Sequence, residues 1–369
     1  MPIALVTNYL PAYRVPLYQR LHERYGVEVH CFGGEPHYVS ESLRDLDRQI
    51  EEAPFPAHRL ARQSDAAELA KHSDAVISVI AGRVALPAAY RGARRAETPF
   101  ILWASLWRHP LTIPHTFSLR LMRRIYRRAN AIVTYGPHVS RYVARYRKGM
   151  EGVFVAPQAV EPEIFGRAVS FEEQREWREQ VGLPPDLPVV LFVGRLERDK
   201  GVDVLLRAWR RLGREDAALC FVGDGPRAKA IGSAGPGVVL AGPLERARLP
   251  VAYAAARTLV VPSIPTRRFL EPWGLVCNEA MHQGTPVIAS SAVGAVPGGL
   301  VAHGASGLVV RPGHDRELAD AIEVMLDDDR LHERFEQVGR AAIEGFSYDA
   351  AADAFGEALA VAGVPARRA

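Results

Sequence analysis

Val189-Val190-Leu191-Phe192-Val193-Gly194-Arg195-Leu196-Glu197-Arg198-Asp199-Lys200-Gly201 is the stretch on which the fold turns. Five apolar residues in a row, rich in valine, predict a strand buried on both faces. Gly194 gives a tight exit, and the 3.6-residue period that follows predicts a helix over Val202–Leu212. Arg195 and Lys200 stand five residues apart across the connecting loop. A diphosphate needs such an arrangement: Arg offers a planar fork, Lys a point charge, and a helix start adds N–H groups and a positive dipole end. The same loop also reads as a surface turn with ordinary charges, so its neighbours have to decide.

Working outward, further strands are predicted at AALCFVG (217–223), VVLAG (238–242), TLVVPS (258–263), TPVIAS (285–290) and GLVV (307–310), with helices between them. The first half alternates in the same way, with strands at Ile3–Thr7, 27–32, Ala75–Val79, 100–103, Ala131–Thr134 and 152–155, and helices such as 16–25 and 117–129. Strand–helix alternation implies parallel sheets covered on both faces, hence an α/β protein with two Rossmann-like αβα domains. Residues 165–187, charged and then Pro-rich, read as the linker, which gives domains 1–165 and 187–346. Residues 346–360 read as a closing helix. Ligands of open α/β sheets bind at the carboxyl ends of strands, so the cleft between the domains is the expected site.

The second chemistry-bearing stretch is Glu271-Pro272-Trp273-Gly274-Leu275-Val276-Cys277-Asn278-Glu279, followed by a Gly-Thr-Pro-Val strand. Two carboxylates eight residues apart fall in a loop and on the helix it enters. Gly274 lets backbone approach a ligand, and a carboxylate accepting from vicinal hydroxyls is a usual way to hold a ribose.

The 369 residues suit two cores, and 48% hydrophobic with 24% charged residues fits globular protein. The net charge of +4, concentrated between Arg108 and Lys148, suits an anionic ligand or an acidic surface. Three widely spaced cysteines, Cys31, Cys220 and Cys277, argue against a disulfide framework and read as buried thiols. The amino-terminal segment reads as a strand rather than a leader, and no run reaches membrane-span length, so a cytoplasmic protein is expected, with the inner membrane face as an option. On the 119–128 helix, Arg120, Arg124, Arg127 and Arg128 lie opposite Leu119, Met122, Ile125 and Tyr126. A solvated face is the plain reading of this pattern, and peripheral contact with an anionic membrane the functional one. Nucleic acid is disfavoured because no recognition motif accompanies the charge. Asp327–Asp329 reads as a turn that caps the next helix.

Across 190–346 the ordered elements GRLERDKGVDVLLRAW, FVGDGP, LAGPL, VPS, the E-x7-E element with GTPVIAS, and HGASGLVVRPG resemble the family 4 glycosyltransferases, retaining enzymes of GT-B fold. The resemblance implies two facing domains, with 347–369 crossing back onto the first. It implies a metal-independent hexosyltransferase that needs no cofactor. The sugar would move from a UDP- or GDP-sugar to a hydroxyl of a polysaccharide, glycolipid or natural-product acceptor. By resemblance, Arg195 and Lys200 bind the donor diphosphate, Glu279 the ribose and Glu271 the transferred sugar. Gly194, Trp273, Gly274 and Leu275 approach sugar and phosphates through backbone, while Gly223, Gly225 and Gly242 border the base.

The first half matches the family poorly. Where many members carry a Gly-rich turn, this chain has Asn8-Tyr9-Leu10-Pro11-Ala12-Tyr13-Arg14-Val15-Pro16, similar to a subgroup in which Tyr13 and Arg14 would face the acceptor; a plain helix start is the competing reading. A family histidine is assigned to His109, with His138 second and otherwise a solvent-facing helix-start residue. Two competitors remain: a nucleotide-sugar epimerase of the same fold, and a catalytically silent nucleotide-sugar-binding subunit. A dinucleotide-dependent dehydrogenase is disfavoured, since no G-x-G-x-x-G follows the first strand.

Overall fold

A computed structural model describes residues 1–33, 45–110, 113–267 and 269–364. Contacts divide the chain into one unit of Met1–Ala159 with the segment from Ser347 onward, and a second of Val160–Phe346.

The first unit contains β1 (Ile3–Thr7), β2 (Val27–Cys31), β3 (Ala57–Arg59), β4 (Ala75–Val79), β5 (Phe100–Ala104), β6 (Ala131–Thr134) and β7 (Val153–Val155). They form one parallel sheet in the order β3-β2-β1-β4-β5-β6-β7. Its inner strands β1, β4, β5 and β6 read as near-continuous apolar runs because alternate residues enter two different cores. Along β5, Ile101 and Trp103 join Leu5, Ile77 and Val133 on one face. Phe100, Leu102 and Ala104 join Val6, Val76 and Ile132 on the other. The edge strand β3 escapes the sequence pattern: Ala57-His58-Arg59 is short and largely exposed, with no apolar period to reveal it.

The second unit contains β8 (Val189–Val193), β9 (Ala218–Val222), β10 (Val238–Gly242), β11 (Thr258–Val261), β12 (Val287–Ser290) and β13 (Gly307–Val310). Their order, β10-β9-β8-β11-β12-β13, is the doubly wound arrangement, with its switch point between β8 and β11. The helix Val202–Leu212 packs Val202, Leu205, Leu206 and Trp209 onto this sheet.

The expected linker is corrected. Residues 171–181 form a helix of the second unit, started by a capping box in which Glu173 N donates to Ser170 Oγ (3.1 Å) and Ser170 N to Glu173 Oε2 (2.9 Å). Trp177 is its only buried side chain, so the surrounding charge masks it in the sequence. Arg178 then donates to the carbonyls of Pro185, Leu187 and Ala255, fastening the Pro-rich turn.

The helix Tyr348–Val361 belongs to the first unit. Phe355 meets Trp103 edge-on at 5.0 Å, and Tyr348 Oη donates to the Tyr13 carbonyl at 2.8 Å. The 119–128 pattern resolves into buried Met122, Ile125 and Tyr126 beneath exposed arginines. Asp328 caps the following helix by accepting from Leu331 N at 2.9 Å. Among the described residues no helix is long and apolar enough to cross a membrane.

Candidate active site

In the second domain a cavity of about 250 Å³ opens at the carboxyl ends of β8 and β11. Gly194, Arg195 and Lys200 line it from the β8 loop; Ser263, Glu271, Gly274, Leu275 and Val276 line it from the segment after β11. The tertiary fold therefore unites the cation pair and Glu271, which lies 71 residues beyond Lys200 in sequence. Lys200 Nζ donates to Glu271 Oε2 at 2.5 Å, Ser263 Oγ donates to the same oxygen at 3.2 Å, and Lys200 also stands over the Phe269 ring. With side-chain exposures of 20% and 11%, this ion pair is largely desolvated, so removing one partner strands a buried charge. Arg195 differs: it is 41% exposed and donates to Glu197 at 2.6 Å, a solvent-screened surface pair worth little net stability.

Close backbone packing shapes the loop. Gly201 has φ +78°, and a Cβ there would stand 2.0 Å from the Pro262 carbonyl oxygen, so glycine alone lets the Lys200 loop lie against the end of β11. Gly223 is likewise pressed on Gly194, whose carbonyl oxygen would stand 2.0 Å from any Cβ at that position. Leu196 N donates to the Asp224 carbonyl (2.8 Å) and Gly223 N to that of Gly242 (2.8 Å). Gly223, Gly225 and Gly242 thus brace the β8 loop from β9 and β10.

On the acidic side, the Trp273 indole is buried. Its Nε1 donates to Asn278 Oδ1 at 2.7 Å, and its carbonyl accepts from Ala295 N at 2.8 Å, so Trp273 anchors the loop. Gly274 (φ +96°) and Leu275 then lead into the helix Val276–His282. Glu279 lies on that helix but outside the cavity wall; it accepts from Tyr253 Oη at 2.5 Å. Burial pushes its carboxyl pKa up, partly offset by the tyrosine hydrogen bond and by Arg246. Ser263 and Tyr253 escaped the sequence reading as site residues, although Ser263 closes the Val-Pro-Ser element. Tyr253 carries no local signal, since only folding brings it to Glu279. The cysteines are buried and unpaired by disulfides, and desolvation raises Cys31 and Cys220 to about 12.

The first-domain candidates fall in different environments. Tyr13 and Arg14 form a 3₁₀ turn before the helix Val15–Tyr25. Arg14 is only 7% exposed, with its guanidinium 4.3 Å from the Trp103 ring, 4.9 Å from Tyr135 and 5.2 Å from Tyr13. Its Nη2 donates to Gln158 Oε1 at 2.8 Å. Arg14 is therefore caged by aromatic faces and Tyr13 is half-buried beside it. His109 is half-buried on the wall of a separate cavity. His138 is corrected from solvent-facing to buried: the helix Pro137–Arg147 turns its second residue inward, and the ring meets Trp107 edge-on at 5.1 Å.

Two doubly wound parallel sheets with these topologies define a two-domain, Rossmann-like GT-B architecture. Residues 173–342 match the family described as Glycosyl transferases group 1. The chain is 33% identical over 227 residues to D-inositol 3-phosphate glycosyltransferase of Xylanimonas cellulosilytica, covering 58% of this chain and 52% of that protein. It is 34% identical over 187 residues to alpha-D-kanosaminyltransferase of Streptomyces kanamyceticus, covering 48% and 46% respectively. The chain thus spans about half the length of the curated relatives it matches. The crystal structure of Anabaena HepE in complex with UDP-glucose superposes with a TM-score of 0.76 at 20% identity, covering 98% of this chain and 99% of that one.

Proposed function

We propose that the protein is a retaining, metal-independent glycosyltransferase that uses a nucleoside diphosphate sugar, a UDP-sugar in the first instance. The observation that carries the reading is the cavity in which Arg195 and the Lys200–Glu271 pair meet at the switch point of the second sheet. Support comes from the family match across this domain and from the UDP-glucose bound by the HepE fold relative.

In this reading Arg195 leaves Glu197 and Lys200 turns from Glu271 to the donor phosphates. Glu271, released, accepts from hydroxyls of the transferred sugar; Glu279, steadied by Tyr253, accepts from the ribose. Backbone at Gly274 and Leu275 approaches the sugar and phosphates, and Gly223, Gly225 and Gly242 border the base. As the anomeric carbon–phosphate oxygen bond breaks, its electron pair stays on the diphosphate, where the two cations stabilise the growing charge. The acceptor hydroxyl oxygen bonds to the anomeric carbon on the same face, and its proton passes to a departing phosphate oxygen. Tyr13 and His109 are assigned to the acceptor side in the first domain, with the buried Arg14 supporting the Tyr13 turn from within. The basic 119–128 helix face is assigned to peripheral contact with the anionic cytoplasmic membrane surface.

The test is thermal-shift screening against UDP-, GDP-, ADP- and TDP-sugars. A donor at a hundred times its Kd stabilises the fold by about 2.7 kcal/mol. Stabilisation by none of the four would overturn the reading.

A further inference from the structure

The first domain holds a cavity of about 340 Å³, built by the segments that follow β4 and β5 and by the helices Ala85–Ala96 and Ile113–Arg128. It lies at the carboxyl ends of parallel strands, where open α/β sheets take ligands, and its volume falls within the range of small-molecule sites. Its chemistry is opposite to that of the second-domain cavity. Of the twelve described lining residues, Arg83, His109 and Ser118 carry polar side chains, and Arg83 and Ser118 are exposed; the described interior is made by residues such as Leu86, Leu106 and Leu121. A saccharide placed here would lose water from several hydroxyls against walls that offer few partners, which is unfavourable. An apolar ring or chain meets no such penalty and gains by leaving water.

Resting on the proposed transfer, we infer that this cavity takes the apolar body of the acceptor. The acceptor class is therefore a hydroxyl-bearing aromatic or polycyclic molecule rather than a free saccharide. Its hydroxyl oxygen forms the bond to the anomeric carbon as the bond to the diphosphate breaks, and the hydroxyl proton leaves with the diphosphate. The second-domain cavity, lined by Arg195, Lys200 and Glu271, receives the anionic donor, so the two cavities sort the two substrates by polarity.

The experiment uses the full chain, with 2-naphthol and glucose as probes in calorimetric titration. Two variants fill the cavity: Ser118→Trp from an exposed helix position and Ala81→Phe from the loop after β4. Naphthol is expected to bind the natural chain and to bind each variant at least tenfold more weakly, with glucose showing no binding. Both variants should retain the natural melting temperature and the natural response to the stabilising nucleotide sugar. Absence of naphthol binding, equal binding in both filled variants, or glucose binding in its place overturns the inference. If naphthol binds and filling abolishes it, but no nucleotide sugar stabilises any form, the transferase reading fails while the apolar cavity stands.

Discussion

At the scale of single residues, the Lys200–Glu271 pair and the Tyr253–Glu279 pair set different expectations. In the proposed reading, Lys200→Ala removes the cation assigned to the donor phosphates, and it strands the buried Glu271 carboxylate. Losing a stabilising cation of this kind costs about 3–4 kcal/mol of barrier, so kcat/KM should fall by roughly 100- to 1,000-fold in initial-rate assays. Near-native turnover would sink the phosphate assignment. Glu279 makes a pH prediction. Burial raises its folded-state pKa above the ordinary 4.5, so its contribution to stability is full below about 4.5 and is lost as pH rises through the higher folded value. Glu279→Gln removes the desolvated charge and keeps an oxygen for the Tyr253 hydroxyl. Its melting temperature should therefore exceed that of the natural chain at neutral pH, with the difference shrinking as the pH falls toward the ordinary carboxylate range. Donor affinity should drop in the same variant, whereas unchanged affinity would take the ribose role away from Glu279.

At the scale of elements, glycine and capping chemistry separate binding from stability. Gly201 joins the Lys200 loop to the helix Val202–Leu212 in a left-handed conformation against the Pro262 carbonyl. Gly201→Ala adds strain on the order of 1–3 kcal/mol before the clash is counted and displaces the loop. Both the urea midpoint and donor affinity should decline. Ser170→Ala is the contrasting case. It deletes the cap of the helix 171–181 and should cost about 1 kcal/mol in urea unfolding with donor binding unchanged. That helix also shows where sequence reading fell short. A helix with one buried tryptophan and a charged remainder has the composition of a linker, and only packing of Trp177 distinguishes the two. Strands buried on both faces, by contrast, were legible throughout, because β8, β9 and β11 must be apolar at consecutive positions. The edge strand β3 carries no such demand and was missed.

At the scale of the whole molecule, the carboxyl-terminal helix completes the core of the first domain. Phe355 and Tyr348 close on Trp103 and on the Tyr13 turn, the same turn that presents Arg14 to its aromatic cage. Phe355→Ala should destabilise the first domain by about 3–5 kcal/mol, read as a lowered thermal transition that a nucleotide sugar bound to the second domain does not restore. Full rescue by the donor would show that the helix stabilises something other than this core.

The sequence by itself determined the two αβα domains, the strand–loop–helix carrying Arg195 and Lys200, and the Glu271–Glu279 element. Buried parallel strands and glycine-tight turns impose local patterns that survive in one dimension. Only the tertiary structure decided that Lys200 binds Glu271 across 71 residues, that Tyr253 holds Glu279, and that Arg14 and His138 turn inward. Partnerships between distant side chains depend on which strand ends the sheet order places side by side, and no local period records that order.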